Sequence, residues 1–249
     1  LYGGSYFFKG DEASTNGGSL GYGDSADFEF GSGDYTVEGW ACPTGDLGNS
    51  DENCIISKYQ ASGSKREWML FLDSGSGNDR LRWTWSNDGG GSATHIYSAT
   101  GKIRSVAATS SIGWYHWAVC KDSTNVRMYV NGVQQDDVNT SPGTITGTDR
   151  DLSIGAYYSG TTVGKNGMFR GFQSDVRIYK GVAKYANGVN FTPASSQPAL
   201  MKDSPSGVVH KAAFETPPSG SGYFDGGSDT RMLESSANVL DTYEYYENI

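Results

Sequence analysis

Val126-Arg127-Met128-Tyr129-Val130-Asn131-Gly132-Val133 decides the fold class of this chain. Val126, Met128 and Val130 alternate with Arg127 and Tyr129, the period-2 pattern of a strand with one buried face. Asn-Gly follows, the strongest short-range hairpin signal, because both residues of the tight turn need positive φ. The stretch predicts a strand, a two-residue turn and a return strand. Outward from it the alternation recurs. In Tyr35-Thr36-Val37-Glu38-Gly39-Trp40-Ala41, Tyr35, Val37 and Ala41 share one face, while Thr36, Glu38 and Trp40 share the other. Residues 68–72 and 81–85 predict a hairpin around the loop 73–79. Residues 114–121, 152–156 and 168–179 predict further strands, the last with Phe172, Val176 and Ile178 on one parity. Only 181–185 reads as a helical turn.

Strands spaced by roughly 8 to 12 residues, with turn residues between them, indicate a sandwich or barrel rather than a βαβ fold. The reading is all-β, a two-sheet antiparallel sandwich. Parity assigns its core to Val37, Leu70, Leu72, Trp117, Val119, Val126, Met128, Val130, Leu152, Ile154, Val176 and Ile178. Each large side chain buried there contributes about 1.5 to 3 kcal/mol, enough for a fold that needs no structural metal.

Composition agrees. The 249 residues include Gly 35 but only Pro 7, together with Trp 6, Tyr 16 and Phe 10. Glycine turns joining aromatic strands fit this balance, and disorder does not. Lys plus Arg 19 against Asp plus Glu 28 gives a net charge of -9. A nucleic-acid partner is not expected, since the longest basic cluster is Lys65-Arg66. No stretch approaches the ~18 apolar residues of a membrane helix, so no membrane partner is expected either. The chain opens on Leu1, which reads as a processed product or a segment of a longer one. Of three cysteines, Cys42 and Cys54 flank a polar loop and admit a bridge; free buried thiols are the alternative.

From about Gln197 the composition shifts, with Pro198, Pro205, Pro217 and Pro218 marking a linker. Beyond it, Gly222-Tyr223-Phe224-Asp225-Gly226 echoes Ser5-Tyr6-Phe7-Phe8-Lys9-Gly10. The expected organisation is a sandwich over 1–196, a linker over 197–218 and, over 219–249, the opening of a degenerate second repeat or a strand-adding tail. Such an opening cannot bury its own apolar face. It is expected to pair with the main sandwich, to pair with a neighbouring chain or to stay mobile.

Several segments in order resemble the laminin-G-like, concanavalin-A-like jelly rolls, especially those of bacteriophage structural proteins. They are residues 25–40, Trp114-Tyr115-His116-Trp117-Ala118-Val119, residues 126–132, Leu152-Ser153-Ile154-Gly155, residues 174–185 and Asn190-Phe191-Thr192-Pro193. The ending Lys180-Gly181-Val182-Ala183-Lys184-Tyr185 with Phe191-Thr192-Pro193 is the part similar to phage and marine viral chains. The resemblance implies two facing sheets, a concave face, and rim loops where relatives bind sugars, calcium or protein.

Catalytic chemistry finds little support. Sandwich glycosidases place two carboxylates at alternate positions of one strand. No Glu-x-Asp-x-x-Glu run occurs, and Asp11-Glu12 and Asp51-Glu52 are adjacent loop residues whose side chains diverge. His116 and Cys120 share a strand face, but no third orienting group can be named. No C-x-x-C or H-x-x-x-H spacing suggests zinc. Hard oxygen ligands for calcium gather in Asp73, Asn78 and Asp79, and in Asp149 and Asp151 before a strand. The same residues also fit ordinary Asx-turn chemistry. Candidates for stacking on sugar rings are Trp83, Trp85, Tyr157 and Tyr158, with Trp83 and Trp85 on one face; membership of the core is the other reading of such a pair.

The leading expectation is a non-enzymatic virion surface component for capsid decoration, tail attachment or adhesion, in contact with other virion subunits or further copies of itself. The alternative is a soluble or extracellular lectin-like module that binds glycan with calcium; a glycosidase comes third.

Overall fold

Apolar residues placed two apart along each strand meet across strands in register. Ile178, Val37, Val119 and Met128 are successive partners in one sheet. Leu20, Ile154, Ile56, Leu70, Trp83 and Ile96 are successive partners in the other. The two rows belong to a single buried cluster, so they face each other between the sheets. All twelve core positions assigned by parity lie in it.

The computed structural model describes residues 5–10, 18–44, 52–73, 79–100, 103, 113–158, 167–193, 208–212 and 223–225. Their strands are β1 (Tyr6–Lys9), β2 (Ser19–Tyr22), β3 (Tyr35–Pro43), β4 (Glu52–Gln60), β5 (Lys65–Asp73), β6 (Arg80–Trp85) and β7 (Thr94–Tyr97). Then come β8 (Tyr115–Asp122), β9 (Asn125–Val130), β10 (Val133–Gln134), β11 (Leu152–Ile154), β12 (Arg170–Lys180), β13 (Val208–Ala212) and β14 (Tyr223–Asp225). Sheet A runs β1-β12-β3-β8-β9-β10, with β13 also on β12; sheet B runs β14-β2-β11-β4-β5-β6-β7. Every strand pair is antiparallel. The fold is the expected jelly-roll sandwich. No described helix is long and apolar enough to cross a membrane.

The Asn-Gly turn forms as read, with Asn131 at φ 51° and Gly132 at φ 76°. Gly132 is also required by a close approach, because a Cβ there would stand 1.8 Å from the Phe191 carbonyl oxygen.

Two local expectations are corrected, and of the two readings of Cys42 and Cys54 the free buried thiols hold. Phe172 does not share a face with Val176 and Ile178. A bulge at Asp175 (φ 52°), between Ser174 and Arg177, adds a residue to β12 and inverts the parity, leaving Phe172 outside and Val176 in the core. The helical turn falls at Ala186–Gly188 rather than 181–185. Cys42 and Cys54 are free. Cys42 pairs with Phe172 on the outer side of sheet A, while Cys54 packs with Tyr59, Met69, Phe71 and Tyr157 on the outer side of sheet B. Two sheets packed ~10 Å apart lie between them, beyond disulfide reach.

Val208–Ala212, inside the segment read as a linker, forms β13 along the second half of β12, and β1 takes the first half of that edge. Tyr223–Asp225 pairs with β2 of the same chain, the first of the three fates expected for it.

Candidate functional site: an open aromatic row on sheet A

The outer face of sheet A divides into two halves. One half carries Thr36, Glu38 and Tyr129, whose buried polar atoms need partners, with the apolar Ala118 and Cys120 between them. The segment 181–193 straps this half. Thr36 Oγ1 donates to the Val182 carbonyl at 3.0 Å and accepts from the Lys184 amide at 3.0 Å. Tyr129 Oη donates to the Tyr185 carbonyl at 2.8 Å. Phe191 stacks on Tyr185, centroids 3.6 Å apart and rings 2° from parallel, and its amide donates to the Gly132 carbonyl. Both rings pack against Ala118, Cys120 and Tyr129.

Glu38 anchors the strap. Its carboxylate accepts from Lys184 Nζ and Tyr185 Oη, and His116 Nε2 stands 3.6 Å away. Burial pushes its carboxyl up, but the pull of His116 and Lys184 outweighs that and holds it down at about 2. Burial and the neighbouring Glu38 push the Tyr185 phenol well above its ordinary value, which keeps it a donor.

Among the described residues the other half has no such cover. Phe7 alternates with the core residue Phe8, Phe172 is turned out by the bulge, and Trp40 alternates with the core residue Ala41. Phe7 lies directly across from Phe172, with ring centroids 4.9 Å apart, and Trp114 reaches Phe172 at 6.4 Å. Phe7 is 37% exposed, while Phe172, Trp114 and Trp40 are half-buried. Phe7, Phe172 and Trp114 form one run of rings with flat apolar faces toward the surface, and Trp40 lies at its border, edge-on to His116 at 5.2 Å.

The stacking candidates read from sequence are not there. Trp83 and Trp85 are fully buried. Trp83 stacks on Trp68 with centroids 5.4 Å apart, and Trp85 Nε1 donates to the Pro142 carbonyl. No ring face is left for a sugar. Tyr157 and Tyr158 are buried too, Tyr157 against Tyr59 and Tyr158 beneath the Arg150 guanidinium at 4.1 Å.

The calcium candidates do not converge. Asp73 forms an ion pair with Arg80 at 2.8 Å, at one end of β5. Asp149 pairs with Lys65 at 2.8 Å, at the other end of that strand, ~26 Å along it at 3.3 Å per residue. Asp151 accepts from the Asp24 amide and from Tyr158 Oη. Asp79 stands at φ 42° and its carbonyl accepts from the Ile103 amide, and Asn78 lies outside the described residues. Among the described residues no three His, Cys, Asp or Glu side chains are placed to hold a metal ion.

Three carboxylates do converge, around Lys58, the outermost being Glu29 with Oε1 4.0 Å from the Lys58 Nζ. The same Nζ lies 2.9 Å from Asp24 Oδ1 and 2.5 Å from Glu67 Oε1, and donates to the Thr148 carbonyl at 3.0 Å. Burial pushes the Glu67 carboxyl up to about 6, against the pull of Lys58 and the Thr148 donors. The ammonium sits between the carboxylates and both Lys58 and Glu67 are fully buried, so a substrate has no access between them. This arrangement ties the loops of Asp24 and Thr148 to the neighbouring strands β4 and β5.

Two seven-stranded antiparallel sheets packed face to face, with one outer face half strapped and half open, define a concanavalin A-like sandwich. The chain belongs to the Concanavalin A-like lectin/glucanases superfamily, whose profile matches residues 16–186. No curated protein matches it in sequence. Among solved structures it is similar to a candidate carbohydrate binding protein from Bacteroides ovatus, at 17% identity over 86% of this chain and 52% of that one, TM-score 0.49. It is similar to a leech intramolecular trans-sialidase at 12% identity over 73% of this chain and 26% of that one, TM-score 0.50. To the CBM40 of a Ruminococcus gnavus IT-sialidase it is similar at 13% identity over 72% of this chain and 91% of that one, TM-score 0.46. These are likenesses of fold. The chain spans about half of the first of these proteins and about a quarter of the second.

Proposed function

We propose that the chain is a non-catalytic carbohydrate-binding module that holds glycan on the open row of Phe7, Phe172, Trp114 and Trp40. The observation that supports this is the half-uncovered face itself, where aromatic rings in cross-strand register stay at the surface beside a half closed by its own strap. The apolar C–H faces of pyranose rings stack on such surfaces. Membership of a superfamily described by lectins and glucanases supports the same reading. The test is binding to a panel of immobilised polysaccharides, with and without chelator, by wild type and by F7A/F172A. Binding that survives chelation and falls at least tenfold in F7A/F172A is the expected result. Binding abolished by chelator and unchanged in F7A/F172A would move the site to the rim of Asp149 and Asp151 and make it calcium-assisted. Release of reducing ends would make the module an enzyme.

The virion reading is favoured by one observation, the similarity of Lys180–Tyr185 and Phe191–Pro193 to phage chains. In this molecule Ala183, Tyr185 and Phe191 of those segments pack onto the sheet as the strap, while Gly181, Lys184 and Thr192 stay exposed. Density for this chain on a particle would establish the virion reading, and the glycan site would then serve host-surface adhesion.

A further inference from the structure

Lys9 and Arg170 are the two cations of the described molecule that have no partner in it. Every other lysine or arginine whose side chain is described meets a carboxylate, a carbonyl or an aromatic face. Lys58, Lys65, Arg80, Arg127, Arg150, Arg177 and Lys184 form ion pairs. Arg66, Lys121 and Lys180 donate to carbonyls, and Arg82 lies over Phe71 at 3.8 Å. In a chain of net charge -9 such pairing is the rule. Lys9 and Arg170 are both exposed, and they are direct cross-strand partners on β1 and β12.

Their placement follows from alternation. Phe8 and Phe169 are in the core, so Lys9 and Arg170 project from the outer face of sheet A, two residues from Phe7 and Phe172 respectively. Gly10, at φ 48°, passes so close that a Cβ there would stand 2.5 Å from Arg170 Cβ, which fixes the stem of the arginine against β1. Like charges directly opposite each other on an antiparallel pair, with Cβ atoms ~5 Å apart, repel. An anion seated between them relieves that repulsion, and an ammonium beside a guanidinium binds carboxylate or sulfate through charge-assisted hydrogen bonds.

We infer that the glycan of this site is anionic: the open row stacks on the sugar ring while Lys9 and Arg170 hold a carboxylate or sulfate substituent. This rests on the carbohydrate-binding reading and sharpens it to a class of ligand. The occupant is a sugar rather than an acidic peptide because the two cations border a row of ring faces.

The experiment measures affinity for dextran, dextran sulfate, polygalacturonate and polyglutamate at low and high salt, for wild type, K9Q/R170Q and F7A/F172A. Circular dichroism confirms that each variant folds. Wild type is expected to bind dextran sulfate or polygalacturonate at least tenfold tighter than dextran, with the advantage shrinking as salt is raised. Preference for the first marks sulfate as the substituent, for the second carboxylate. K9Q/R170Q is expected to lose that advantage, and F7A/F172A to lose affinity for all three polysaccharides. Equal wild-type affinity for dextran and its sulfate and for polygalacturonate, or an advantage that K9Q/R170Q retains, would overturn the anionic class while leaving the aromatic site standing. Polyglutamate bound as tightly as the anionic polysaccharides would overturn the choice of a sugar. Absence of all polysaccharide binding would overturn both readings.

Discussion

The two halves of sheet A's outer face are built from similar residues and treated in opposite ways. Around Glu38 the chain brings its own segment 181–193 back to cover the sheet, supplying a stacked Tyr185–Phe191 pair, a lysine and several backbone groups. Around Phe7 and Phe172 no described segment does this, although those rings are as apolar as the ones it covers. On the carbohydrate-binding reading proposed above, closing one half and not the other separates stability from recognition. Changes under the strap are expected to alter folding, and changes on the open row to alter chiefly binding.

The largest expected effects are on the strapped side and in the core. Glu38→Ala removes a buried carboxylate that holds Lys184, Tyr185 and His116. Leaving the partly buried Lys184 ammonium without its carboxylate and the Tyr185 hydroxyl without its acceptor costs about 3 kcal/mol, read as a lower urea midpoint. Trp83→Ala opens the core beside Trp68 and costs ~3–5 kcal/mol. If its glycan affinity also fell while the folded fraction held, the rings would not be core residues in function.

Acid should act on the strapped half next. The Glu38 carboxyl is lowered in the folded state from 4.5 to about 2. A depressed carboxylate contributes stability that is present above the unfolded value and lost as pH falls through the folded one. The window is therefore pH 4.5 down to about 2, and the loss there is about 3 kcal/mol by the difference of the two values. Glu67 acts in the opposite direction. Its carboxyl is raised from 4.5 to about 6, so its contribution is full below 4.5 and declines as pH rises toward 6. Urea melts from pH 7 to pH 2 check both, and E38Q should flatten only the acid limb.

The smallest expected effect on stability is on the open row. Phe7→Ala, at a site 37% exposed, should shift unfolding by only about 1 kcal/mol, the loss of its cross-strand pair with Phe172. Stability falling as far as for Glu38→Ala would show that the row is packed from outside and is not free for a ligand.

Alternation alone located the core because, in a strand with one buried face, the period of two ties each residue to its neighbours two positions away. It did not say which aromatic pair stays outside. Trp83 was legible in principle. Carrying the 73–79 hairpin through in register sets Trp83 beside Leu70, already a core residue, and so points its ring inward. The open row was harder. Phe172 reaches the surface only through the bulge at Asp175, and no local pattern in β12 announces it. Lys9 and Arg170 are far apart in sequence and meet only through the β1–β12 register. The strap segment was singled out for its resemblance, yet its role depends on Glu38, which alternation had already placed on the face away from Val37.

Four of the six tryptophans, Trp68, Trp83, Trp85 and Trp117, are fully buried, which leaves Trp114 and Trp40 as the ones a neutral quencher can reach. Acrylamide quenching at saturation with a bound polysaccharide tests the central claim most directly. The account predicts that the quenchable fraction falls on binding and that W114F removes most of the change. Saturated binding with quenching unchanged would place the ligand elsewhere and contradict it.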